Sequence, residues 1–271
     1  MSRDYKLSDM ISGFIKYLDC PCQYFEPAAD DSALLSAYRK ARKQGKEEGF
    51  IPVMIPVDDI LWEWLSMDMF EEGEQKTEGE FDAEQVLSYR KEMLTTPLED
   101  GREILSSMIV DYKDIYEQDD FDVEEVLEEL GGIEDDEEMD DEDEDIEHFM
   151  GYYDYSSGEC GPVILAKIPV KNPWEVFAWV PFGGWNECPD TLEQMAVAKY
   201  WFEEHGAVPA VITHDVLEFD VPRPVEMKKA IKLAIEQYGY CPDIVEQGDN
   251  ATVGMLAEML TVSKSWFFWW D

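Results

Sequence analysis

Positive charge is the scarcest feature of this sequence. Its 271 residues include 21 Lys or Arg against 63 Asp or Glu, a formal net charge of −42. A surface that negative repels phosphate backbones and anionic lipid, so no direct binding to nucleic acid or to a membrane is expected. A basic protein is the partner such a field would attract, fastest at low salt. No apolar run reaches the roughly 18 residues of a membrane span. The start, Met1 to Met10, lacks the apolar centre of a secretory signal, so a cytoplasmic location is the expectation. The 5 cysteines are irregularly spaced with no C-x-x-C pair, which argues against a disulfide framework and against a zinc site. Glycine motifs for a dinucleotide or a P-loop are missing too. No cofactor and no metal is expected.

What is present is ample core material: 45% of residues are hydrophobic and 9 are Trp. Ile11, Phe14, Ile15 and Leu18 recur at helical spacing. Cys20-Pro21-Cys22 opens a turn or short extended piece. Asp30 or Asp31 can cap a second helix bearing Leu34, Ala37, Tyr38 and Ala41, with Gly45 and Gly49 at its end. Residues 50–57 read as a strand, and Pro52 and Pro56 predict that it is an edge strand or irregular. Asp58 caps a short helix, and further helices run to about residue 116.

Residues 117–147 hold 20 Asp or Glu and no Lys or Arg. With little to bury and strong self-repulsion, the stretch 117–150 is expected to be a flexible linker between an N-terminal, mainly helical region (1–116) with one short strand and a C-terminal α+β domain (151–271). It does not fit a calcium loop: counted from Asp135, position six is Asp140 and position twelve Ile146.

Beyond Gly151, residues 163–170 and 174–180 read as two strands. Pro181-Phe182-Gly183-Gly184-Trp185-Asn186-Glu187-Cys188-Pro189 follows, leading into a helix from Asp190, with Glu193 completing a capping box and Gly206 as the stop. Residues 208–213 and 216–221 suggest a hairpin around His214-Asp215. Two helices and a final strand, Trp266-Phe267-Phe268-Trp269-Trp270-Asp271, complete the chain; an aromatic strand of that kind must be covered. The fold class is α+β, with a mixed sheet and flanking helices in the C-terminal half.

The glycine loop, together with Ala198-Lys199-Tyr200-Trp201, Thr213-His214-Asp215 with Glu218, Glu236-Gln237-Tyr238 with Cys241-Pro242-Asp243, and the aromatic ending, resembles the bacterial domain of unknown function 4253 over about residues 161–271. Gly49 to Val53 and Asp58 to Trp62 are similar to the N-terminal half of longer members. The resemblance implies a fold and leaves the function open.

Two kinds of site are candidates. Cys188 precedes a helix N-terminus that favours a thiolate, although Glu187 opposes it; His214 could act as base, with Asp215 or Glu218 orienting it. Alternatively Gly183, Gly184, Trp185, Asn186, Glu187, Arg223 and Asp243 frame a binding surface together with Trp269 and Trp270. A zinc site drawing on Cys188, His214, Cys241 and Asp243 has no supporting spacing. Three functions follow. The first and preferred is a cytosolic acidic binding protein, for instance an immunity-type inhibitor of a basic bacterial toxin. The second is a cysteine-dependent hydrolase or transferase using Cys188 and His214. The third is a polyanion mimic occupying a nucleic-acid-binding site.

Overall fold

A computed structural model describes residues 6–68, 81–116, 148–154, 157–248 and 252–271. Residues 117–147 of the expected linker at 117–150, and with them the excluded calcium loop, therefore lie outside the described residues, while 148–150 are described. The chain is α+β, built on one six-stranded sheet.

The first half contributes α1 (Leu7–Leu18), β1 (Cys22–Phe25), α2 (Ser32–Glu48), β2 (Ile51–Pro56), α3 (Asp59–Glu63), α4 (Ala83–Thr95) and α5 (Gly101–Tyr116). The second contributes β3 (Val163–Ile168), α6 (Thr191–His205), β4 (Val208–Ile212), β5 (Val216–Asp220), α7 (Met227–Tyr240), the short α8 (Asp243–Glu246), α9 (Val253–Leu260) and β6 (Ser265–Trp269). Strand order is β1-β3-β2-β4-β5-β6. All neighbours are antiparallel except β2 and β4, which run parallel and meet at Met54 and Val211. Regions 1–116 and 151–271 thus share a single sheet.

Two expectations need correcting. The strand at 51–56 is central, not an edge, and a second strand, β1, precedes it. The Val57 N–H donates to Pro162 O (2.8 Å), so by alternation the odd-numbered amides of β2 face β3. Pro52 and Pro56 turn their missing donors toward β4, where β2 makes a single bridge, and the β2–β3 ladder stays whole. The second correction is at 173–178, a 3-10 helix rather than a strand. Glu175 accepts the Asn172 N–H (3.0 Å) and Pro173 occupies the first helical position, a start signal that outweighs the aromatic and β-branched run.

The faces of the sheet are unequally covered. Ile164, Ala166, Ile168, Val53, Ile55, Leu217 and Phe219 point into the larger core, with helices α1 and α3–α7. Val163, Leu165, Met54, Ala210 and Val211 point into a smaller one under α2 and residues 149–152. Ala210 and Val211 share a face because a bulge interrupts the β4–β5 register there. Tyr38 and Arg42 of α2 reach Asp220 at the end of β5 (3.1 and 2.9 Å). At the β5–β6 end a groove runs from residues 148–154 on this thinner face around to α7–α9, which pack in the larger core.

Candidate functional site

The groove has a volume of about 910 Å³. Its apolar wall comes from α9 and β6, with Leu256, Met259, Leu260, Phe267 and Trp269. Asp58, Asp154, Asp215 and Asp243 supply carboxylates, and no Lys or Arg lines it among the described residues. His148 and His214 are its ionisable nitrogen groups.

His214 and Asp215 form the two-residue tip of the β4–β5 hairpin. The Thr213 hydroxyl shapes the tip: it accepts from the Asp215 and Val216 amides (3.1 and 2.7 Å) and donates to Asp215 Oδ1 (2.9 Å). Trp269 Nε1 donates to Asp215 Oδ2 (3.1 Å), fixing the carboxylate against β6. His214 Nε2 stands 3.4 Å from that oxygen, and its Nδ1 stands 3.7 Å from Asp58 Oδ1. Partial burial pulls the imidazole pKa down, but the attraction of Asp58 and Asp215 outweighs it, and the net shift is upward. The imidazole thus stands between two carboxylates that favour its protonated form.

Asp58 is the residue sequence reasoning missed here. It does cap α3, accepting the Leu61 N–H (2.7 Å), and that role accounts for its presence in the sequence pattern. Its second role arises because β2 and β4 run parallel side by side, which brings the residues after both strands to the same end of the sheet. No local signal predicts that pairing. Phe267 and Met259 were missed for the same reason: they meet only in three dimensions.

Glu218 is not the group that orients His214. It is 1% exposed, on the sheet face beneath the groove, and accepts from Met150 N (2.8 Å) and Gly151 N (2.9 Å). Burial pushes its pKa up to about 7, against the lowering effect of the two amides. Ser265 Oγ donates to His148 O (2.6 Å), so the chain re-entering the sheet after the acidic stretch is fastened at two points.

The glycine loop sits elsewhere. Gly183 and Gly184 both have positive φ, 89° and 87°, as does Asn186 at 47°. A Cβ on Gly183 would lie 1.8 Å from Pro189 O, whereas one on Gly184 would meet nothing. The loop closes on itself through Gly184 N to Cys188 O (3.1 Å). Trp185 packs between Trp64 and Phe182, and Phe182 against Trp270. Asn186 Nδ2 donates to Asp271 O (2.6 Å) and Asp243 Oδ2 accepts the Asp271 N–H (3.1 Å), so loop and α8 together hold the final residue. Glu187 is exposed, and so is Arg223, which forms no ion pair among the described residues. Of the expected binding surface, Asp243 and Trp269 line the groove, and the glycine loop and Arg223 do not.

Cys188 is 5% exposed and does not line the groove that holds His214. Its polar neighbour is Gln194, whose Nε2 lies 3.4 Å from the sulfur and whose Oε1 accepts the Tyr240 hydroxyl. Burial, then the neighbouring Cys241, push the Cys188 thiol up, and Cys241, which donates to Trp269 O (3.0 Å), is likewise pushed up by burial. The dipole argument for a thiolate is overridden by desolvation. No group of three or more His, Cys, Asp or Glu is set to hold a metal, and no helix is long and apolar enough to cross a membrane, among the described residues.

The fold and site define an α+β protein with a mixed six-stranded sheet and a carboxylate-rimmed groove at its β5–β6 end. Residues 164–271, from β3 to the end of the chain, match the family model described as domain of unknown function (DUF4253), in agreement with the resemblance carried by the loop and the aromatic ending. No curated protein and no solved structure matches the chain.

Proposed function

We propose that this is a binding protein whose groove takes a cationic, partly apolar segment of a basic partner protein. One observation carries the reading: an aromatic and aliphatic wall is combined with four aspartates and, among the described residues, no Lys or Arg in a groove of about 910 Å³. Apolar contact supplies the area and the carboxylates supply register and choice of charge. The net charge of −42 steers such a partner inward from a distance. An immunity-type inhibitor of a basic toxin is the concrete form of this function, the toxin's own basic surface being what the groove covers.

Any polycation will stick weakly to a chain this acidic, so the test must separate groove from field. Met259 on α9 is 44% exposed and lines the groove; Leu87 on α4 is 58% exposed and does not. Met259→Lys and Leu87→Lys change net charge equally. With an alternating Lys–Leu peptide as probe, Met259→Lys is expected to weaken binding by about tenfold, the effect of roughly one misplaced charge. Leu87→Lys should match the parent chain. Equal affinities for the two variants, or binding that does not weaken as salt rises, would refute the reading.

A further inference from the structure

Far from the groove, at the junction of α1 and β1, two sulfurs face each other. Cys20 Sγ and Cys22 Sγ are 4.0 Å apart, both half-buried, with exposed Pro21 between them. The other three cysteines are buried and far apart in sequence. Arg90 of α4 acts electrostatically on the nearer member of this pair, Cys20. It is 5% exposed, donates Nη2 to Tyr17 O (2.7 Å), and stacks its guanidinium on Trp179 at 4.6 Å and on Tyr17 at 5.5 Å. Its Nε has no hydrogen-bond partner, and no carboxylate is within ion-pair distance of it, among the described residues. Asp19, exposed at the end of α1, acts on it only at longer range.

In a chain with 63 acidic residues, a buried guanidinium without a carboxylate partner is an exception that calls for another anion. After the Tyr17 phenol, whose own pKa burial pushes up, the Cys20 thiol is the group positioned to supply it. We infer that Cys20-Pro21-Cys22, backed by Arg90, is a thiol–disulfide exchange site whose substrates are small-molecule disulfides.

The hydrogen bond between the sulfurs pulls the Cys22 thiol pKa down and pushes that of Cys20 up, so the pair shares a proton and Cys22 is the stronger nucleophile. Cys22 sulfur attacks one sulfur of the small disulfide; a protein–small-molecule S–S bond forms and one thiolate leaves, taking up a proton. Cys20, whose thiolate the Arg90 charge stabilises, then attacks Cys22 sulfur and expels the second thiolate. The protein loses two protons and two electrons, and one disulfide becomes two thiols. The Lys167 N–H donates to Pro21 O (2.9 Å), and Trp179 Nε1 donates to Leu18 O (3.0 Å), so both flanks of the pair are held while the sulfurs rotate together.

The test uses the full chain and glutathione disulfide, followed by alkylation with iodoacetamide and peptide mass spectrometry. The peptide containing Cys20 and Cys22 is expected to lose two hydrogens and resist alkylation until reduced. Cys160, Cys188 and Cys241 should be alkylated only after unfolding. Cys20→Ser should stop the reaction at a glutathione adduct on Cys22. Arg90→Gln should slow ring closure about threefold for each unit by which it raises the thiol pKa, because the smaller thiolate fraction is partly offset by a more nucleophilic thiolate, and shift the pH midpoint of alkylation upward. If Arg90→Gln does not fold, Cys20→Ser still decides. Full alkylation of Cys20 and Cys22 after the disulfide treatment would overturn the inference. So would a Cys20→Ser chain carrying no adduct.

Discussion

Replacing Glu218 by Gln should remove most of the pH dependence that this one site gives to folding. In the folded chain its carboxyl has a pKa of about 7, against an ordinary value of 4.5. The fold therefore holds the proton more tightly than the unfolded chain does. The resulting stability is fully present below 4.5 and is lost as pH rises through 7. For those two values the loss between pH 5.5 and pH 8.5 is about 2 kcal/mol. Gln cannot ionise, so its contribution is flat. It also turns an amide N–H2 toward either Met150 N or Gly151 N, which leaves one buried donor unmet at a cost of about 1–2 kcal/mol at every pH. The expected result is that the parent chain is more stable than Glu218→Gln at pH 5.5, and that its advantage shrinks by about 2 kcal/mol at pH 8.5. Guanidinium unfolding at four pH values in that interval measures it, and subtracting the two curves cancels the titration of all the other acids. Parallel curves would show that Glu218 is ionised throughout, and the burial argument would fail.

The two loop glycines should respond unequally. Gly183→Ala drives a Cβ into Pro189 O and should cost about 3 kcal/mol, while Gly184→Ala pays only for its left-handed backbone, about 1 kcal/mol; urea unfolding of the pair checks the order, and equal costs would contradict it. His214 should titrate above 6.5, and Asp58→Asn, which keeps the helix cap, should lower that value; an NMR titration with unchanged midpoints would remove Asp58 from the site. Deleting residues 134–147 should slow capture of a basic peptide at low salt and leave its dissociation rate unaltered; loss of all binding would favour the polyanion-mimic reading instead.

Much of the architecture was legible because local chemistry and tertiary packing agree. Asp190 with Glu193 and Gly206 bracket α6 as their capping roles demand, and Asp190 Oδ1 does accept the Leu192 and Glu193 amides. The His214-Asp215 hairpin followed from two β-rich runs around a polar pair. The strand misread at 174–180 shows the converse, where a helix-start signal of three residues outcompetes a β-rich composition. Sheet order was out of reach, since nothing in residues 51–56 states that they lie between β3 and β4. The candidate site inherits that blindness. Cys188 and His214 look like partners in sequence, but desolvation silences the thiol, and of the two carboxylates facing His214 only Asp215 is its neighbour in the chain, the other, Asp58, lying more than 150 positions earlier.

The place of β2 in the sheet has one more consequence. β3 and β4 both belong to the matched segment, yet they do not touch as neighbours: a strand from before the acidic stretch is inserted between them. Residues 151–271 alone would leave a slot in the middle of their own sheet. Peptide-bond cleavage within 117–147, by contrast, severs none of the strand pairings among the described residues. The two fragments of such a nicked chain remain interleaved, and when made separately they should find each other by complementation, each the template on which the other completes its sheet.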